Sequence, residues 1–284
     1  MKPILPLLLA GLSTVAPVTA TTYYSTTFES LTNGAVSGQD DWTTTTGPAG
    51  NIAVQSTTAK TGSKALQLDM AGAVDGTRAY RPMASLGATS VSFDFQLGAA
   101  QTGADADYRI NVLSSVLGQM VDVIVLGQGG QVILVGPGSA SPSQFFLVPG
   151  TWYNFQVVMN FGTGAVTLYI DGVPRAAQTL PLGTQGVGGI AASLFPGASA
   201  TGQAFIDNLN ITDTPAPYVA SIAVVSATNL QSATVVNPFS TNLQARVLDQ
   251  NGNAFPGISV TFGADKGTFA SAAAVTTNAS GIAT

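Results

Sequence analysis

The sequence predicts an all-β protein, and three observations carry that prediction. No stretch beyond the first twenty residues repeats apolar residues at the helical period. Short apolar runs rich in Val, Ile, Phe and Tyr recur instead, as half-buried strands require. Between them lie Gly, Pro, Asn and Asp clusters, and the chain has 32 Gly and 15 Pro to supply such turns. Many short strands at regular spacing predict a β-sandwich or jelly roll.

The elements follow in order. Residues 1–20 read as a secretory signal: a basic Met1-Lys2 start, an apolar core Ile4–Leu12 broken by Pro6, and a small-residue cleavage site at Val18-Thr19-Ala20. That core is too short to span a membrane. The mature chain is expected to begin at Thr21. Strands are predicted at Ser90–Leu97, Tyr108–Ser114, Val121–Leu126, Gln131–Val135, Trp152–Asn160, Ala165–Ile170 and Ala204–Ile211. Gly127-Gln128-Gly129-Gly130 and Gly162-Thr163-Gly164 close two hairpins, and Asp171-Gly172 closes a third turn. Asp213-Thr214-Pro215-Ala216-Pro217 interrupts the series, because two prolines so close together cannot continue a central strand. A new strand series starts at Ser221–Val225. The expected organisation is a signal at 1–20, a first domain at 21–213, a stiff linker at 214–219 and a second domain at 220–284.

Composition narrows the chemistry. The chain has no His, no Cys and a single glutamate, Glu29. The usual proton shuttles, nucleophiles and transition-metal ligands are therefore scarce, which argues against catalysis. A net charge of -5 provides no basic field for nucleic acid. A cysteine-free, Thr/Gly/Ala-rich exported chain points to a bacterial source.

Four pieces in order carry a family resemblance: Phe28-Glu29-Ser30 followed by Gly38-Gln39-Asp40-Asp41-Trp42; Gly62-Ser63-Lys64-Ala65-Leu66-Gln67-Leu68; Gly150-Thr151-Trp152-Tyr153-Asn154-Phe155 leading to Leu168-Tyr169-Ile170-Asp171-Gly172; and Phe205-Ile206-Asp207-Asn208-Leu209. With them, Thr22–Asp213 resembles the LamG-like, concanavalin A-like jelly-roll family. Leu243–Asp249, Asn251–Gly257, Ile258–Phe262 and Thr276–Thr284 make the rest similar to the bacterial Ig-like domain of the intimin and invasin type (Big-1), with its last strand missing. The resemblance implies a jelly roll carried on an Ig-like stalk, and core positions for Trp42 and Trp152. It also implies a structural calcium between Glu29 on the first strand and Asp207 on the last, no other cofactor being expected. Asp249-Gln250-Asn251-Gly252-Asn253 reads as an Asn-Gly turn rather than a calcium loop, since no bidentate Glu follows.

Candidate sites follow from residue type. Jelly-roll glucanases pair carboxylates on one strand, and a chain with one glutamate cannot form that motif. Asp105 and Asp107 read as solvated loop residues. Ser63-Lys64 are sequence neighbours expected on opposite strand faces, which argues against a Ser–Lys dyad. In Tyr108–Ser114, the apolar Tyr108, Ile110 and Val112 share one face, and Arg109 and Asn111 share the other. Arg109, Asn111 and Asp122 are placed to line a ligand-binding sheet face, the alternative being an ordinary wet face. Phe145, Phe146 and Phe195 sit beside Pro- and Gly-rich loops. The expected function is a secreted, non-catalytic, adhesin-like protein recognising an extracellular glycan or host surface ligand. The alternatives are a polysaccharide-active enzyme or its accessory carbohydrate-binding module, and a structural matrix protein without a small ligand.

Overall fold

A computed structural model describes residues 21–85, 88–103, 106–114, 118–181, 186–197, 200–213, 219–225, 242–249, 252–262 and 274–284. The signal segment 1–20, linker residues 214–218 and Asp105 lie outside the described residues.

The strands in chain order begin with β1 (Thr22–Thr26), β2 (Gly34–Ala35), β3 (Thr43–Thr46), β4 (Ile52–Gln55), β5 (Ala65–Asp69), β6 (Thr77–Ser85), β7 (Ser90–Leu97) and β8 (Asp107–Ser114). They continue with β9 (Gln119–Leu126), β10 (Gln131–Gly136), β11 (Ser139–Phe146), β12 (Trp152–Asn160), β13 (Ala165–Ile170), β14 (Val173–Thr179), β15 (Val187–Phe195) and β16 (Gln203–Thr212). Among the described residues these form two antiparallel sheets. One has nine strands in the order β14-β13-β12-β7-β16-β5-β4-β2, with β1 also on β16; the other has seven in the order β11-β10-β9-β8-β15-β6-β3. The sheets pack face to face as a concanavalin A-like jelly roll. The first and last strands pair, Thr26 opposite Leu209 and Ser25 opposite Asn210.

Alternation builds the core. Phe93 and Phe95 of β7, Phe155 and Val157 of β12, Tyr108, Ile110 and Val112 of β8 and Leu66 and Leu68 of β5 all point inward and are buried. Phe93 stacks on Phe155 with ring centres 5.4 Å apart. Trp42 is buried with them, as the resemblance implies. The turns form where glycine permits positive φ: Asp171 and Gly172, at φ 50° and 73°, join β13 to β14.

β15 was not expected. Its Val187–Phe195 sequence reads as a weak Gly/Ala stretch, yet it is central in its sheet, between β8 and β6. β11 is a second addition, and it places Phe145 and Phe146 on a strand rather than beside a loop. Pro142 fits there because β11 is an edge strand with one side free of ladder partners.

Further along, β17 (Val219–Val224), β18 (Ala245–Asp249) and β21 (Ile282–Ala283) form a three-stranded sheet, and β19 (Ser259–Thr261) pairs with β20 (Ala274–Thr276). Ala245, Val247, Val260 and Ala283 form a separate small core. Asp249 closes its turn by accepting the Asn253 amide on Oδ1 at 2.8 Å and the Gly252 amide on its carbonyl at 3.0 Å.

Candidate functional site

A polar patch crosses the solvent side of the seven-stranded sheet. Because Tyr108, Ile110 and Val112 turn inward, Arg109 and Asn111 turn outward. The register sets Asn111 opposite Asp122 of β9 and Ala191 of β15. Ala191 in turn faces Tyr80 of β6. The next row runs from Arg109 through Ser193 to Arg78. At about 4.8 Å between strands, Asp122 to Tyr80 covers about 14 Å.

A hydrogen-bonded chain lies at the centre. Ser193 Oγ donates to Asn111 Oδ1 at 2.5 Å, and Asn111 Nδ2 donates to Asp122 Oδ1 at 2.7 Å. Ser193, Asn111 and Asp122 are only 3%, 5% and 1% exposed. Burial pushes the Asp122 carboxyl above the ordinary carboxylate range, opposed by the Asn111 hydrogen bond and by the charges of Arg109 and Arg78. The structure thus brings together all three residues expected at the site.

Its flanks are cationic and aromatic. Arg109 Nε and Nη2 donate to the two carboxylate oxygens of Asp107, each at 2.8 Å, and the guanidinium lies 3.7 Å from the Phe195 ring centre. Asp107 is therefore not a solvated loop residue: it opens β8 and holds Arg109 in place. Arg78 lies 5.9 Å from the Tyr80 ring, and its Nε is buried without a hydrogen-bond partner among the described residues. A Cβ at Gly189 would meet Tyr80 Cε2 at 2.4 Å, so glycine there lets the Tyr80 ring lie against β15. Sequence reading missed Ser193, Arg78 and Tyr80. The available signal was Gly188-Gly189 beside a strand-like run, since glycine within a strand marks a close approach.

Glu29 and Asp207 converge on one loop, residues 60–64. Glu29 lies in the turn after β1, not on the strand. Its Oε1 accepts the amides of Ser63 and Lys64, both at 2.7 Å, and Oε2 accepts the Ser63 hydroxyl at 2.8 Å. These bonds, the Ser63 amide first, hold its carboxyl below the usual range. Lys64 Nζ donates to the carbonyls of Glu29 at 3.0 Å and Leu31 at 2.5 Å. Ser63 and Lys64 thus precede β5 and serve Glu29 together, rather than standing on opposite faces of a strand.

Asp207 is fully buried on β16. Its Oδ2 accepts the amides of Lys60 at 3.0 Å and Thr61 at 2.9 Å, and its Oδ1 accepts that of Asn208 at 2.7 Å. Burial raises its pKa against those bonds, and Asp94 adds to the rise. Asp94 stands directly opposite on β7 and accepts the amides of Asn154 and Asn208 at 3.0 and 2.7 Å. N–H and O–H donors face the carboxylate oxygens of Glu29 and Asp207, and the Lys64 ammonium takes the carbonyls of Glu29 and Leu31. Among the described residues no group of three or more Asp or Glu gathers that could hold a metal.

Trp152 does not fill the core. It lies on the outer face of the nine-stranded sheet, half-buried, opposite Gln96. Phe145 is half-buried, edge-on to Tyr153 and under Arg175, whereas Phe146 is 53% exposed.

No protein-family model matches the chain, and no curated protein does. Solved structures with a similar fold include a sialidase, 15% identical with a TM-score of 0.49 over 68% of this chain and 19% of its own. A cellulose-induced protein is 13% identical, TM-score 0.49, over 67% of this chain and 97% of its own. Domain 4 of an extracellular GH43 arabinanase from Geobacillus stearothermophilus, in complex with arabinotriose, is 19% identical, TM-score 0.46, over 69% and 94%. This chain spans about a fifth of the sialidase's length, and these likenesses concern the fold alone.

Proposed function

We propose that the jelly roll is a non-catalytic carbohydrate-recognition domain of a secreted bacterial protein. Its ligand is an extracellular glycan bound across Asp122, Asn111, Ser193, Arg109, Arg78 and Tyr80. The observation that carries this reading is the Ser193–Asn111–Asp122 chain, buried and hydrogen-bonded on a solvent-side sheet face. Preset polar groups beside aromatic rings are what orients sugar hydroxyls and stacks sugar rings. The charges on the face balance, Arg78 and Arg109 against Asp107 and Asp122, which favours a neutral sugar over an acidic one.

Geometry supports binding over hydrolysis. Asp122 stands opposite Asn111, and Asp107 lies four residues from Asn111 on β8. At about 3.4 Å per residue along the strand and about 4.8 Å between strands, their Cα atoms stand about 14 Å apart, which does not place them as the facing acid pair of a glycosidase. Residues 220–284 serve in this reading as an Ig-like spacer that holds the jelly roll away from its anchor, as an adhesin requires. The test is an array of neutral oligosaccharides probed with the exported protein. Wild type is expected to bind a defined subset. Asn111→Ala and Arg78→Ala are each expected to lose about tenfold or more in affinity while keeping a cooperative melt. Release of reducing ends from a bound glycan would overturn the non-catalytic assignment, and an array without binding would overturn the recognition one.

A further inference from the structure

The turn between β13 and β14 seats a side chain from far along the chain. A Cβ at Gly172 would meet Cε1 and Cζ of Phe255 at 3.0 Å each and Ile258 Cδ1 at 3.8 Å. Glycine there leaves bare backbone for the Phe255 ring to lie on. Both sides of the contact are held in place. On the jelly roll, the Asp171 amide donates to the Asn154 carbonyl at 2.8 Å, and the Asn154 amide donates to Asp171 Oδ1 at 2.8 Å. These two bonds fix the turn to β12. On the other side, the Phe255 amide donates to the Val247 carbonyl at 3.0 Å. Thr277 Oγ1 donates to the Phe255 carbonyl at 2.8 Å and accepts the Ile258 amide at 2.9 Å. Phe255 and Ile258, both half-buried, also pack against the small core of Ala245, Val247, Val260 and Ala283. The ring thus lies between that core and the Gly172 turn.

We infer that the Gly172 turn is a docking seat for the second domain, and that the two domains form one rigid unit rather than swinging about the linker. Among the described residues the second core holds no buried side chain larger than valine, and the chain has no cysteine to staple it. A core that small gains from every apolar group it can bury against a neighbour. The linker 214–218 is short and carries Pro215 and Pro217. A short tether keeps the two surfaces at an effective concentration of about a millimolar or more, so a small contact suffices. The seat belongs to the nine-stranded sheet and the polar patch to the seven-stranded one, so the joint stands whether or not a glycan binds.

A cysteine-free chain takes spin labels only where cysteines are introduced. Gln128→Cys in the β9–β10 turn and Ser280→Cys between β20 and β21 put one label on each domain at exposed positions. Pulsed electron-spin distance measurement on the full chain is expected to give a single narrow distribution. Gly172→Asn keeps the positive φ, which asparagine tolerates, and puts a side chain into the seat. Phe255→Ala removes the ring from the other side. Each variant, checked as folded by circular dichroism, is expected to broaden the distribution about twofold or more. Because Gly172→Asn leaves the second core untouched, it carries the test even where Phe255→Ala unfolds that core. A broad distribution in the unsubstituted background overturns the joint, and so does a narrow one that Gly172→Asn leaves unchanged.

Discussion

Gly62 shows why one residue can govern a loop. Its φ is +64°, in the left-handed region, and a Cβ there would meet Glu29 Oε1 at 2.4 Å. Both the backbone and the close approach demand glycine. Gly62→Ala is expected to destabilise the protein by about 1–3 kcal/mol, read from thermal or denaturant unfolding. The same loop makes pH an informative probe. Glu29 has a lowered folded pKa, so its stabilisation is present above its unfolded value of roughly 4.3 and is lost as pH falls through the folded value. Glu29→Gln should therefore lower the melting temperature near neutrality, and the difference should shrink in acid. Asp122 has the opposite sign. Its folded pKa is raised by burial, so the folded chain takes up a proton more readily than the unfolded one. Relative to Asp122→Asn, wild type should gain stability as pH falls from neutral through the raised value. A wild type that instead loses ground to the variant over that range would contradict the burial account. Because the oxygens of Glu29 and Asp207 are engaged by N–H and O–H donors, EDTA and millimolar calcium should give the same melting curve. A calcium-dependent rise would show that a cation displaces those donors.

At the scale of the strand, legibility followed side-chain contrast. β7, β12 and β13 were readable to the residue because bulky apolar side chains alternate with polar ones. β8 was readable for the same reason, and with it came Arg109 and Asn111. Across the ladder, the register sets Asp122 on the same face, where the sequence also placed it. β15 was illegible because Val187-Gly188-Gly189 and the following alanines have low strand propensity, and because it is buried on both faces. What it contributes is smallness. Ala191 and Ser193 keep the floor of the face low between Asn111 and Arg78, and Gly189 admits the Tyr80 ring. Gly189→Val should displace Tyr80 and weaken glycan binding more than Tyr80→Phe does, as measured by calorimetry. Equal affinities for Gly189→Val and wild type would remove Tyr80 from the site. Trp152 was misplaced by resemblance. Strand alternation from the buried Phe155 already puts residue 152 on the outer face.

The chain is rich in Thr, Ser, Gly and amides, with charged residues only 8% of it. Such a composition supplies little long-range steering, so in the proposed reading recognition comes from short-range hydrogen bonds and stacking on a preformed face. Two outer faces compete for that role. The seven-stranded sheet offers the Ser193–Asn111–Asp122 chain with Arg78 and Tyr80. The nine-stranded sheet offers Trp152 and Gln96, beside carboxylates already closed off by amides. The most direct test measures oligosaccharide affinity for Asn111→Ala and Trp152→Ala side by side, each checked by its melting curve. The account predicts a loss of about tenfold or more for Asn111→Ala, about 1.4 kcal/mol, and unchanged affinity for Trp152→Ala. Retained binding in Asn111→Ala together with lost binding in Trp152→Ala would place the ligand on the opposite sheet and contradict it.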